Sequence, residues 1–295
     1  MNPSHTQWIN TNDGFYHSSV AALAVSGTNL FAGTNRGVFR STNDGADWAL
    51  IINGLTFPDV RALAVSGPNL FCGTFGGGVF CSTNNGTSWT EVNTGMTNKN
   101  VMAFAVSGSY LFAGTLGGGL FRSTNSGKNW TVVNAGFTNK KVMAFAVSSP
   151  NIFAGILGGV YLSTDNGTSW KTVDTGLTNK RVFALAISGQ NLYVGTYGGV
   201  FLSSNSGMNW TAASAGMTYN YVTSLAVSGT NLFAGTYTGH IYLSTNDGAN
   251  WTAVNEGWTN TNVNALVVSG KYLFAGSLDG IVWRRPLSEM IFPNP

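Results

Sequence analysis

One short unit recurs seven times along this chain, and no other feature constrains its fold so tightly. Phe-Ala-Gly-Thr or a close variant starts at Phe31, Phe71, Phe112, Phe153, Tyr193, Phe233 and Phe274, at spacings of 40, 41, 41, 40, 40 and 41 residues. A period near 40 in strand-type sequence marks a propeller or repeat array, where neighbouring units bury the apolar faces that one unit cannot. A chain of 295 residues would otherwise read as one or two domains. The repeat makes residues 1–295 read as one closed domain.

The unit from Val101 to Asn139 divides into four strand-length runs: Val101 to Ser107, Tyr110 to Thr115, Leu120 to Thr124 and Trp130 to Asn134. Gly, Asn and Ser turns separate them, which is the pattern of short antiparallel strands. No segment sustains a 3.6-residue apolar stripe, so essentially no helix is expected. Four such strands make one blade, and seven blades make an all-β, seven-bladed β-propeller.

The chain ends predict how the ring closes. The Trp-led fourth strand occurs at Trp48, Trp89, Trp130, Trp170, Trp210 and Trp251, one copy short of seven. Trp8 lies 40 residues before Trp48, and Asp13-Gly14-Phe15 matches Ala135-Gly136-Phe137. Residues 7–10 are therefore expected to complete the last blade by pairing near Ile281 to Arg285.

The turn before each of these tryptophans carries a recurrent pattern. It reads STNDGADW from Ser41, STNNGTSW from Ser82, STNSGKNW from Ser123, STDNGTSW from Ser163, SSNSGMNW from Ser203 and STNDGANW from Ser244. This resembles the Asp-box of bacterial neuraminidase-type repeats, Ser/Thr-x-Asp-x-Gly-x-x-Trp. That group includes sialidases, two-propeller xyloglucan hydrolases, sortilin-type receptors and single-propeller photosystem II assembly factors. The match covers essentially the whole chain and speaks to fold far more than to activity. Only Asp165 keeps the Asp; Asn43, Asn84, Asn125, Asn205 and Asn246 replace it. An Asn oxygen can close the same turn on backbone N–H groups, so these residues and their tryptophans are assigned to structure. The ending Val282 to Ile291 resembles the ends of propellers in secreted Bacteroidetes-type proteins. Phe292-Pro-Asn-Pro295 is similar to the start of a type IX sorting tail, which implies an extracellular or cell-surface location.

Composition narrows the function classes. Charged residues make up 8% of the chain and its net charge is +3, too weak to imply a nucleic-acid partner. No apolar run approaches a membrane span of about 18 residues. Cys72 and Cys81 flank a Gly-rich turn. A hairpin closed at Thr74 and Val79 would set them opposite each other, within disulfide reach; two free thiols are the other reading.

The Gly-rich loops Gly76–Gly78 and Gly117–Gly119 lead into strands without a Gly-Lys-Ser/Thr, and so read as hairpin turns rather than phosphate cradles. His5, His17 and His240 have no metal-ligand spacing. The Asn/Asp/Gly turns lack the Asp alternation and distal Glu of a calcium loop. Neither a metal nor a cofactor is expected. Glycosidases need two carboxyl groups about 5–10 Å apart. The clearest rim carboxylates, Asp59 and Asp279, are separated by the first repeat, while Asp13 and Glu256 lie just outside the rim loops. No catalytic residue is assigned.

Variation among the repeats clusters at one expected rim. The lead-in residues before each repeat's first Val include Phe57-Pro-Asp59, Asn98-Lys-Asn100, Asn139-Lys-Lys141, Asn179-Lys-Arg181, Tyr219-Asn-Tyr221 and Asn260-Thr-Asn262. The residue after that Val is Ala21, Arg61, Met102, Met143, Phe183, Thr223 or Asn264. The residue after the four-residue motif is Asn35, Phe75, Leu116, Leu157, Tyr197, Tyr237 or Leu278. Candidate ligand-binding residues are Arg61, Phe75, Met102, Met143, Phe183, Tyr197 and Tyr237, with a basic arc of Lys99, Lys140, Lys141, Lys180 and Arg181. Aromatics, amides and Met suit sugars or peptides. Loop tips also drift because little packs on them.

These features predict a non-catalytic secreted or surface binding module, a monomer, with a glycan or protein on its central rim. The alternatives are a glycoside hydrolase or lyase of the Asp-box type, and an assembly scaffold resembling the photosystem factors.

Overall fold

The structure, a computed structural model, describes residues 7–11, 15, 18–259 and 261–290. It consists of seven four-stranded antiparallel sheets arranged as blades around a ring. The inner strand of each blade contacts that of the next, including the last blade's on the first. Blade three is typical: Val101–Ser107 lines the axis, followed outward by Tyr110–Thr115, Gly119–Ser123 and Thr131–Val132. The outermost strand is only two residues long, and Trp130 stands just before it. The one helical element among the described residues is a short 3-10 turn, Leu287–Glu289.

The repeated Gly explains why the blades can sit so close. A methyl group on Gly114 would lie 2.6 Å from Cγ1 of Val142, the first Val of the next blade. The same clash recurs at every seam, down to Gly276 against Val20 across the ring's join. The first Val of every blade is fully buried. Thus Gly in one repeat and Val in the next form one contact, which is why they recur together.

The apolar core lies between blades rather than within them. One cluster, for example, joins Phe71 and Val79 of blade two to Val101, Leu111, Phe121 and Trp130 of blade three. Burying side chains of this size stabilises by about 1.5–3 kcal/mol each.

The Ser–Asn–Gly–Trp turns fasten those seams. In blade one the Ser41 hydroxyl accepts from Gly45 N at 2.9 Å and donates to Asn43 Oδ1 at 2.9 Å. Asn43 Oδ1 in turn accepts from Asp47 N at 3.0 Å. The Gly is needed for its positive φ, as at Gly45 (77°). The tryptophan does more than cover its hairpin. Trp89 donates from its indole to Ile51 O of the previous blade at 2.9 Å, and from its backbone to Asn53 O at 2.8 Å. Trp130, Trp210 and Trp251 make equivalent double links. Trp48 and Trp170 are buried likewise.

Trp8 behaves as the missing seventh copy. It donates to Val254 O and Glu256 O of the previous blade. The following strand, Ile9–Asn10, pairs with Arg284 and Trp283, so the start of the chain completes the last blade as expected. Asp13 and Gly14 lie outside the described residues, as do His5, His17, Asn260 and the Phe292 to Pro295 tail.

The cysteine register differs from expectation. Thr74 pairs with Gly78, which puts Phe80 opposite Cys72 and Phe71 opposite Cys81. Successive side chains alternate between faces, so the thiols point to opposite sides of the sheet and both are free. Burial pushes the Cys72 thiol well above its usual pKa.

Candidate functional site

Seven backbone hydrogen bonds build the rim. In every blade the residue after the four-residue motif donates its N–H to the carbonyl of the last lead-in residue. Phe75 bonds Asp59, Leu116 bonds Asn100, Leu157 bonds Lys141, Tyr197 bonds Arg181 and Tyr237 bonds Tyr221, at 2.8 to 3.2 Å. Asn35 on Ser19 and Leu278 on Asn262 complete the set. The two variable positions of each blade are therefore neighbours on one face.

Ala21, Arg61, Met102, Met143, Phe183, Thr223 and Asn264, one from each blade, line a shared mouth of about 260 Å³. Next to it, sharing Arg61 and Met102, is a space of about 230 Å³ lined mostly by small and branched residues such as Ala144, Ala184, Leu185 and Ser224. The change of character follows from strand geometry. The inner strand is irregular between its first and third residues, which lets the residue between them turn to the mouth.

The residues around this mouth are unevenly distributed. On blades five and six, Tyr221 and Tyr237 stack at 4.8 Å and 14°, while Phe183 and Tyr197 lean on Tyr221 at 5.0 and 4.9 Å. Tyr197 and Tyr237 are half exposed. Burial raises the Tyr221 phenol's pKa; Arg181 lowers it, and the neighbouring phenols add to the rise. Beside this cluster Tyr219 stacks on His240 at 4.1 Å. Burial lowers the pKa of His240, which favours its neutral form. Tyr219, Tyr221 and His240 were not among the sequence candidates. The triplet Tyr219-Asn-Tyr221 was the available signal, since it alone replaces an Asn-led or Pro-bearing lead-in with two rings.

On blade two, Arg61 pairs with Asp59 at 2.7 Å and lies 5.9 Å from the Phe75 ring centre. Met102 and Met143 face the mouth between these two sectors.

The basic arc is thinner than expected. Lys99 pairs with Glu91 at 3.1 Å and Lys180 with Asp174 at 2.9 Å. Lys140, Lys141 and Arg181 form no ion pair with another described residue. Arg181 instead lies over Tyr197, 5.4 Å from its ring centre. The lead-in amides are also engaged. Asn98, Asn139 and Asn179 accept from the backbone N–H two residues on, at 2.9 to 3.1 Å. They shape the loop that carries the cations.

The rim carboxylates Asp59 and Asp279, and Glu256 just outside the rim loops, each have a partner of their own. Asp59 is on Arg61, Asp279 accepts from the Ser277 hydroxyl, and Glu256 pairs with the buried Arg285 at 2.7 Å. Among the described residues no three His, Cys, Asp or Glu come together as a metal site. No helix among them is long and apolar enough to cross a membrane.

The fold is shared with solved proteins of several kinds. The extracellular domain of the putative one component system BT4673 from B. thetaiotaomicron superposes with TM-score 0.80 at 18% identity, over 95% of this chain and 40% of that one. This chain thus spans well under half of that protein's length. YCF48 from Cyanidioschyzon merolae gives 0.75 at 15% identity, over 96% and 99% of the two chains, and YCF48 has also been solved bound to D1 peptide. The GH74 enzyme of Niastella koreensis gives 0.73 at 18% identity, over 93% and 53%. No family model and no curated protein matches the sequence.

Proposed function

We propose that the whole chain forms one propeller domain of the Asp-box type and works as a non-catalytic binding module, secreted or on the cell surface. It takes a glycan or protein on the central rim. The observation that carries this reading is the aromatic cluster beside the mouth, in which Phe183 and partly buried Tyr221 back the half-exposed Tyr197 and Tyr237. Contiguous rings that reach the solvent mark binding surfaces more often than scaffold. The rim carboxylates already have partners, which favours binding over hydrolysis. Structural neighbours that include an extracellular domain and a peptide-binding factor support the location and the role by analogy of fold alone.

Labelled protein applied to arrays of glycans and of peptides tests the reading. Selective binding that Phe183→Ala or Tyr197→Ala weakens by about tenfold or more, roughly 1.4 kcal/mol, is the expected result. Binding indifferent to both substitutions would place the ligand elsewhere on the molecule.

A further inference from the structure

We propose that the sector from blade four to blade six takes an acidic oligosaccharide, whose sugar rings lie on the tyrosines and whose carboxylate or sulfate groups meet Arg181, Lys140 and Lys141. This narrows the rim-binding reading above and rests on it.

The first observation is a pair of arginine–aromatic sites in different states. In blade two, Arg61 lies against Phe75 and holds the chain's own acid, Asp59. In blade five, Arg181 lies over Tyr197 with no carboxylate of its own. A guanidinium presents a fork that fits a carboxylate or sulfate through two parallel hydrogen bonds. Blade two supplies the acid internally; in blade five the position equivalent to Asp59 is taken by Arg181 itself, whose guanidinium is left without an acid among the described residues.

The second observation is preorganisation. The Arg181 backbone donates to Asn179 and accepts from Tyr197, while its head rests on a ring. The Lys140 carbonyl accepts from Gly117 and Gly119 of the previous blade, and Lys141 N donates to Asn139. The held loop backbones and the anchored Arg181 head leave less freedom to lose when a ligand arrives.

The third observation separates sugar from peptide. Peptides commonly bind by adding a strand to free backbone groups. Here the N–H groups of Tyr197 and Tyr237 are already bonded to the lead-in carbonyls. The rim therefore offers ring faces and cationic heads. A pyranose suits this because its C–H face can rest on a ring while its hydroxyls stay wet.

The test is calorimetric titration with oligogalacturonate, its neutral methyl ester, dextran sulfate and poly-glutamate, at low and physiological salt. Oligogalacturonate or dextran sulfate is expected to bind about tenfold or more tightly than the methyl ester. Arg181→Ala and Tyr237→Ala should each weaken that binding by about tenfold, while Lys99→Ala, at an internally paired cation, should leave it unchanged. Unchanged melting temperatures in these variants would exclude unfolding as the cause. Equal binding of the methyl ester, still lost with Tyr237→Ala, would overturn the acidic preference and leave the rim-binding reading standing. Poly-glutamate binding as tightly as the glycans would overturn the sugar class. No binding of any probe would overturn the inference, and the arrays above would then decide the broader reading on their own.

Discussion

Adjacent residues of the inner strands obey opposite rules. Val60, Val101, Val142 and Val182 are fully buried and chemically identical; the residues one step on are Arg61, Met102, Met143 and Phe183. The valines fill a seam where the facing Gly leaves no room for a methyl group. Their neighbours turn to a shared mouth, where no facing Gly fixes their size. Repetition in this chain therefore records the Gly–Val seam between blades, and variation records the positions outside it. The seams specify the ring, and the rim is the part of each repeat still free to become specific.

The largest effect expected from breaking a seam is at Trp8. Trp8→Ala removes a buried ring and its indole hydrogen bond at the join of the ring. It should cost about 3–5 kcal/mol, read as a large drop in melting temperature. An unchanged melting temperature would show that the join does not hold the ring. Next comes Gly114→Ala, which drives a methyl group into Val142 and should cost about 1–3 kcal/mol. Leu116→Ala, two residues away on the rim, should stay within about 0.5 kcal/mol of the parent protein. Comparable losses in both would erase the distinction between seam and rim.

The smallest effect concerns the one turn that keeps its acid. Hydrogen bonds from Ser169 hold the Asp165 carboxyl down to about 2. A pKa depressed in the folded state contributes stability above the unfolded value near 4 and loses it as pH falls through about 2. The group is exposed, so the contribution is small. Asp165→Asn should match the parent protein at pH 7 and show a shallower loss of stability between pH 4 and 2 in acid denaturation. Identical acid curves would count against the hydrogen bonds drawn here.

The blades, their number and the closing strand were legible because packing forces them to repeat. What was illegible depends on geometry between repeats. Three consecutive glycines, Gly76 to Gly78, offer more than one place to close a hairpin, and one residue of register moved Cys81 to the other face. Lys99 and Lys180 looked like members of one basic arc, but Glu91 and Asp174 reach them from the ends of the preceding outer strands. Asn98, Asn139 and Asn179 looked like amides free for a ligand, yet each closes its own turn. Tyr221 became visible as the hub of the aromatic cluster only when blades five and six were set side by side.

The join between the first and last strands also has a mechanical meaning. Ile9 faces Arg284 and Asn10 faces Trp283, so the two ends of the chain leave the pair on the same side. Tension between those ends loads the short ladder bond by bond, like a zip pulled at its slider. Force drawn across these two strands is expected to open the ring at this join one pair at a time.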